Sequence, residues 1–381
     1  MAAICAKAGH TVLGVDVQQT VVDGVNNKMA HFEEAGLADV LAQVTIQANT
    51  IPQVADVHVI AVPTPFIEET KQPDMVYVRQ AAKKLAHVVR EGDLVILEST
   101  SPVGATEEHV KTVIETENKT LTDKVLYAFC PERAIPGDTL RELTENDRCV
   151  GGLTDKATEK ALEFYKTFVT GELFPTHIRI AEMVKLVENT SRDVQLAFAN
   201  ELSTICDDLN LNVYDVISLA NRHPRVNILH PGTGVGGHCI AVDPWFIIKS
   251  VPLEKTPLLQ QTRKINDEKP HQVVQKILNL AEKNPNKTIA LMGLAFKPDV
   301  DDLRNSPAMQ VATAVHAILP DVQICEPHIK THQNFNLTLL DHAKNADILI
   351  FLTSHQAFKQ LEKQLNNKII YDPAGTFYGR L

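Results

Sequence analysis

The 381-residue sequence has no cysteine pair spaced C-x-x-C; Cys5, Cys130, Cys149, Cys206, Cys239 and Cys325 lie far apart. That excludes a zinc ribbon. In a chain this long, six scattered thiols point to reduced cysteines in a cytoplasm rather than a disulfide framework. No stretch approaches the ~18 consecutive apolar residues of a membrane-spanning helix. The apolar start, Met1 to Lys7, lacks a charged leading region and a cleavage site, so no signal peptide is expected. There is no run of Lys or Arg, and acids outnumber bases 47 to 37, which disfavours nucleic-acid binding. H-E-x-x-H, a Walker loop and G-x-S-x-G are absent, and no metal site is expected.

What is present is ordinary globular material: 44% hydrophobic and 22% charged residues, enough for two or three domains at ~150 residues each. Short apolar runs alternate with helical patterns. Thr11–Asp16, Val57–Val62, Leu94–Leu97 and Val125–Phe129 read as strands, with helical stretches such as Asp74–Val89 between them. Continuous apolar strands separated by helices imply a parallel sheet covered on both faces. From Ile178 to Leu219 there is no Pro or Gly, and the spacing predicts one long helix or a tight pair. Strand–helix alternation resumes with Thr288–Met292, Val322–Cys325, Asp347–Leu352 and Lys368–Tyr371. The expected architecture is α/β: two Rossmann-like parallel-sheet domains, 1–177 and 273–381, joined by a central helical region, 178–272.

Asp16 stands where a dinucleotide-binding fold keeps its ribose-binding acid, ~20 residues after a glycine loop. Counting back passes Met1, so the sequence reads as starting in the first helix, Ala2 to Ala8, with the N-terminal domain truncated and Gly9 ending that helix. Taken alone, Asp16 reads first as a strand-end turn residue, and the rest of the chain reverses that reading. The one G-x-G-x-x-G, Gly232 to Gly237, follows His230-Pro231 instead of a strand. Its glycines suit close backbone approach to a ligand beside Cys239.

Chemistry concentrates in a few places. Gly236-Gly-His-Cys239 puts a thiol after a glycine pair, with Asp243 four residues on. A helix starting near Cys239 would place both on one face and sharpen the thiol; the competing reading is a small buried core cysteine. Lys185 and Asn189 share a helical face, Lys185 being either an inward ammonium or a solvated edge. Pro131-Glu-Arg133, Thr64 and Thr100 follow strand ends, where ligands gather in open sheets. Asn221-Arg-His-Pro-Arg225 gathers donors suited to an anionic or polyhydroxyl ligand, or forms a solvated loop.

As an ordered set these segments resemble the UDP-glucose/GDP-mannose dehydrogenase family. The carriers are Ala61–Pro65, Glu98–Gly104, Cys130–Arg133, Glu182–Asn189, Gly236–Cys239 with Asp243, and Phe296-Lys297 with Asp302 and Arg304. Asn221–Asn227 and Pro231–Phe246 resemble its N-acetylhexosamine branch, with UDP-N-acetyl-D-mannosamine as the expected substrate. The resemblance implies NAD-dependent four-electron oxidation of a UDP-sugar. Cys239 would be the nucleophile, and Lys185 would polarise or protonate the substrate oxygen. Asn189 and Asp243 would position water and oxyanion, with Thr100 and Glu132 holding the water. Asp16, Thr64, Thr100 and Arg304 would contact NAD. Arg133, Ala134, Lys185, Asn189, Arg192, His223, Arg225, Gly236, Phe296 and Lys297 would contact the nucleotide sugar, and the helical middle would carry the interface of a homodimer. The dense donor cluster Arg222, His223 and Arg225 is itself expected to help select the sugar nucleotide across a subunit boundary. Two other readings stay open: an impaired nucleotide-sugar-binding remnant, and a two-electron hydroxyacid dehydrogenase, which needs neither the cysteine nor the second α/β domain.

Overall fold

The computed structural model describes residues 1–30, 34–135 and 137–378. The chain divides into two compact units: residues 1–188 with 245–250, and residues 189–244 with 251–381.

In the first unit, strands β1 (Val12–Val15) and β2 (Ile46–Asn49) form a parallel pair, Val12 opposite Ile46. A separate sheet has the order β3 (Val57–Ile60), β4 (Leu94–Leu97), β5 (Leu126–Phe129), β6 (Arg148–Gly152), β7 (Leu173–His177). Every residue of β4 is buried, as its unbroken Leu-Val-Ile-Leu requires of a strand covered on both faces. The expectation of parallel sheets holds except between β5 and β6, which pair antiparallel. The helix Ala2–Lys7 packs Ile4 and Cys5 on the face built by Leu94, Ile96 and Ala128. Gly9, at φ +95°, ends it, a left-handed position that favours glycine.

The apolar pattern from 178 resolves as a tight helix pair: Ile178–Asp208, 31 residues long, and Val213–Ala220. Asn212 stops the gap between them, its side chain accepting from Tyr214 N at 2.9 Å. The long helix changes unit after Glu188. In the second unit a further helix, Pro257–Lys283, carries Pro270 inside it. The boundary that the sequence places at 272/273 falls within this helix. A buried polar seam joins it to the long helix: Asp193 to Arg263 at 2.5 Å, Asn200 to Asn266 at 2.9 Å, Lys269 to Ser203 at 2.6 Å. Burial pushes the Asp193 carboxyl up to about 6 against the pull of Arg263, and lowers the Lys269 ammonium to about 8.

The second unit's sheet is wholly parallel, in the order β11 (Ile369–Tyr371), β10 (Ile348–Phe351), β8 (Ile289–Met292), β9 (Gln323–Cys325). Its two central strands are buried throughout. No described helix is long and apolar enough to cross a membrane.

Candidate active site

Ligand-binding residues of open parallel sheets collect beyond the C-terminal strand ends, and four candidates stand there in the first unit. Asp16 follows β1, its Oδ1 accepting from Gln18 N at 2.8 Å. Thr64 follows β3 and Thr100 follows β4, both partly exposed. Ser99 Oγ donates to Val62 O at 2.6 Å and ties these two strand-end loops together. A carboxylate for a ribose diol and two strand-end hydroxyls are the donor and acceptor set of a dinucleotide site, so the residues present fit NAD.

Glu132 follows β5 and is held hard. Its Oε1 accepts from Arg133 N and Ala134 N, each at 2.6 Å, and Oε2 lies 3.6 Å from Arg148 Nη2. Arg148, at 3% exposure, also reaches Leu143 O and the Cys130 thiol. Burial opposes its charge, but Cys130 and Glu132 more than restore it. Behind it lies Glu98, whose carboxyl is raised by burial and accepts from Tyr165 Oη at 2.6 Å. Sequence reading assigned Arg148 nothing; an arginine heading the small, buried run Cys-Val-Gly-Gly was the available signal.

The first turns of the long helix are fixed at two points. Glu182, fully buried, accepts from Gly104 N (2.6 Å), Thr106 N (2.9 Å) and Thr106 Oγ1 (2.8 Å). Burial lifts its carboxyl and these bonds only partly offset that. Glu188 pairs with Arg133 at 2.5 Å. Lys185 lies three residues from each, partly buried, and pairs with no carboxylate among the described residues. Its helix position is therefore set by its neighbours, and its charge is not engaged in an ion pair with them.

In the second unit, Asn189 Nδ2 donates to Asp243 Oδ2 at 2.5 Å, and Asp243 is 3% exposed. Cys239 is exposed and four residues back. The helix starts at Asp243 rather than near Cys239. Cys239 sits in the preceding turn, closed by Val242 N and Asp243 N on Cys239 O, both at 2.9 Å. A helix N-terminus therefore does not act on the thiol. The nearby cation is Arg304: its guanidinium is raised first by hydrogen bonding to Asp302, with the charges of Asp302 and Cys239 adding to it. His238 is lowered by burial and then by Arg304.

The glycine pair serves this packing. A Cβ on Gly236 would lie 2.5 Å from Asn305 O, and one on Gly237, at φ +83°, 2.8 Å from the Phe296 ring. The close approach is to protein, where the sequence suggested a ligand. Asn305 Nδ2 also donates to Gly237 O at 3.3 Å. Thus Asn189, Asp243, Cys239, Gly236, Phe296 and Arg304 gather in one unit, with Lys297 beside His238. Arg192, Arg222, His223 and Arg225 are exposed, and no hydrogen bond or ion pair ties their side chains to that group among the described residues. Asn221 closes the loop carrying the last three by bonding Ile228 N and O.

Three models of the UDP-glucose/GDP-mannose dehydrogenase family match along the chain: its NAD binding domain over residues 1–169, its central domain over 179–268 and its UDP binding domain over 290–378. An NDP-N-acetyl-D-galactosaminuronic acid dehydrogenase of Ralstonia solanacearum is 44% identical over 98% of this chain and 92% of its own length. A UDP-N-acetyl-D-mannosamine dehydrogenase of Escherichia coli K12 is 43% identical over 99% and 96%. Among solved structures, a UDP-N-acetyl-mannosamine dehydrogenase from Staphylococcus aureus superposes with a TM-score of 0.88 at 38% identity, covering 98% of this chain and 92% of that one.

Proposed function

We propose, from the premise that this chain belongs to the UDP-glucose/GDP-mannose dehydrogenase family, that it oxidises a UDP-N-acetylhexosamine, foremost UDP-N-acetyl-D-mannosamine, to the uronic acid. The chain is an NAD-dependent UDP-sugar dehydrogenase; the N-acetylhexosamine and the covalent route are our reading. The observation that carries the route is the exposed Cys239 in a turn closed onto Asp243, whose carboxylate is held by Asn189.

The balance is one primary alcohol, one water and two NAD to one carboxylate, two NADH and three protons. NAD, when bound, supplies the hydride acceptor for both oxidations. Asp16, Thr64, Thr100 and Arg304 would hold it. Lys185 takes up or supplies the proton at the substrate oxygen and offsets its negative charge. At the aldehyde stage, Cys239 Sγ bonds to the carbonyl carbon and traps it as a thiohemiacetal. Asn189 donates toward the oxygen of that adduct. After the second oxidation the adduct is a thioester. Water held by Glu132 and Thr100 cleaves its C–S bond, releasing carboxylate and restoring the thiol. Arg133, Ala134, Arg192, His223, Arg225, Gly236, Phe296 and Lys297 bind the nucleotide sugar.

A panel of UDP-sugars with NAD tests this reading. UDP-N-acetyl-D-mannosamine should give the highest kcat/KM, with two NADH per carboxylate. One NADH per substrate would favour the two-electron alternative, and none with any sugar the binding remnant.

We further propose a homodimer formed on the long helix. Val194, Phe198, Leu202 and Ile205 recur on it at three-to-four spacing, and Phe198 is 53% and Ile205 49% exposed, an apolar stripe of the kind helices bury against a partner. Phe198→Asp should sediment as a single chain; a monomeric wild type would overturn the proposal. Six thiols, none in a disulfide, support work in a reducing cytoplasm.

A further inference from the structure

The loop between β8 and the helix Pro307–Ile318 carries Phe296 and Lys297. The loop is closed in part by its own backbone, Phe296 N donating to Asp302 O at 3.2 Å, but it also contains an unfavourable conformation that needs outside support: Asp299 has φ +59°, in the left-handed region that non-glycine residues seldom adopt. The grip comes from two buried side chains on the neighbouring strand ends. Glu326, just past β9 and 4% exposed, takes Leu294 N at 2.7 Å and Ala295 N at 3.1 Å on one oxygen, and His328 N at 3.0 Å on the other. His355, beyond β10 and fully buried, accepts Asp299 N on Nδ1 at 2.9 Å. Its ring proton therefore sits on Nε2, which lies 3.1 Å from Glu326 Oε2.

Both ends of the segment 294–299 are thus tied to one hydrogen-bonded pair. Further bonds continue the tether: Gln356 N to Asp299 Oδ1 at 2.8 Å, Thr353 Oγ1 to Ala295 O at 2.8 Å, Ser306 Oγ to Leu294 O at 2.6 Å. Burial alone would raise the Glu326 carboxyl, yet the bonds from His355, His328 N and Leu294 N leave it below the usual carboxylate value. It is a buried charged acceptor whose oxygens are met by three backbone N–H groups and the His355 ring, as a carboxylate taken out of water requires.

We propose that Glu326 and His355 are a positioning pair for nucleotide recognition: they hold the Phe296–Asp299 loop in its left-handed turn, so that Phe296 and Lys297 meet the nucleotide without further ordering. A preordered loop saves the entropy of fixing it on binding. This rests on the reading that Phe296 and Lys297 contact the nucleotide. The same corner brings ligand atoms of Asp299, His328 and His355 within 4.8 Å of one another. The His355 Nδ1 lone pair that a cation would need is already engaged by Asp299 N, so the cluster is read as a tether.

The test is isothermal titration of the full chain with UDP, alongside steady-state kinetics. His355→Leu removes both bonds and should weaken UDP and raise KM for the UDP-sugar about tenfold, the scale of one or two buried hydrogen bonds, while kcat and the KM for NAD stay within roughly twofold. His355→Asn keeps an acceptor near the Nδ1 position and should recover most of the loss, which a general loss of packing would not allow. If the leucine variant does not fold, Glu326→Gln is read instead, with the same KM effect expected at several-fold. Lys297→Ala separates the two ideas. If it leaves UDP affinity unchanged, the assignment of the loop to the nucleotide fails. If it weakens UDP while His355→Leu, or its substitute Glu326→Gln, binds as wild type, the positioning pair is overturned.

Discussion

Cys239→Ser should abolish carboxylate formation, lowering turnover by roughly three orders of magnitude or more, as expected when a covalent nucleophile is removed. The fold should survive, because Cys239 is exposed and its turn is closed by backbone bonds from Val242 and Asp243 that serine leaves intact. A hydroxyl lacks the acidity and softness of the thiol. Residual NADH formation should approach one per substrate instead of two. Serine variants that still make uronic acid at near wild-type rate would remove Cys239 from the chemistry.

Lys185→Ala should lower kcat by roughly 10²-fold or more, the scale for losing an oxyanion-stabilising or acid–base group. The argument lies in its neighbours on the helix. Glu182 bonds Gly104 and Thr106, and Glu188 pairs with Arg133. These two anchors hold the turn that carries Lys185, so the alanine variant keeps its helix and loses only the ammonium. Melting temperature should change little while kcat falls. A kcat within about threefold of wild type would mean that the ammonium is a solvated edge.

The parts of the fold that a reader recovers from sequence are those whose burial dictates composition. Leu94–Leu97 and Ile348–Phe351 are central and buried on both faces, so nothing but apolar residues fits. Ile46–Asn49 and Arg148–Gly152 escape because the first is half polar and the second opens on an arginine and closes on glycines. The helix Pro257–Lys283 is hidden by Pro270 and by the polar seam through Arg263, Asn266 and Lys269, which erases its apolar stripe. At the site, the Cys239–Asp243 spacing was legible and the helix start was not, although Pro244 directly after Asp243 carries the signal for a first helical turn. Glu326 and His355 were invisible, being 29 residues apart and joined only through the sheet.

The distribution of the thiols has a consequence for how the protein ages. Cys5, Cys130, Cys206 and Cys325 are buried and Cys149 is partly so. Burial lifts Cys5 to about 11 and Cys130 and Cys325 to about 12, and it raises Cys149 and Cys206 as well. Peroxide attacks thiolates that solvent can reach, which leaves Cys239 as its target. Among the thiols, oxidative wear therefore falls on one: sulfenic acid there is returned to thiol by reductant, and sulfinic acid is not. On the proposed covalent route, a stored sample is expected to lose activity while its core and sheets remain intact, so a folded protein is no measure of a working one.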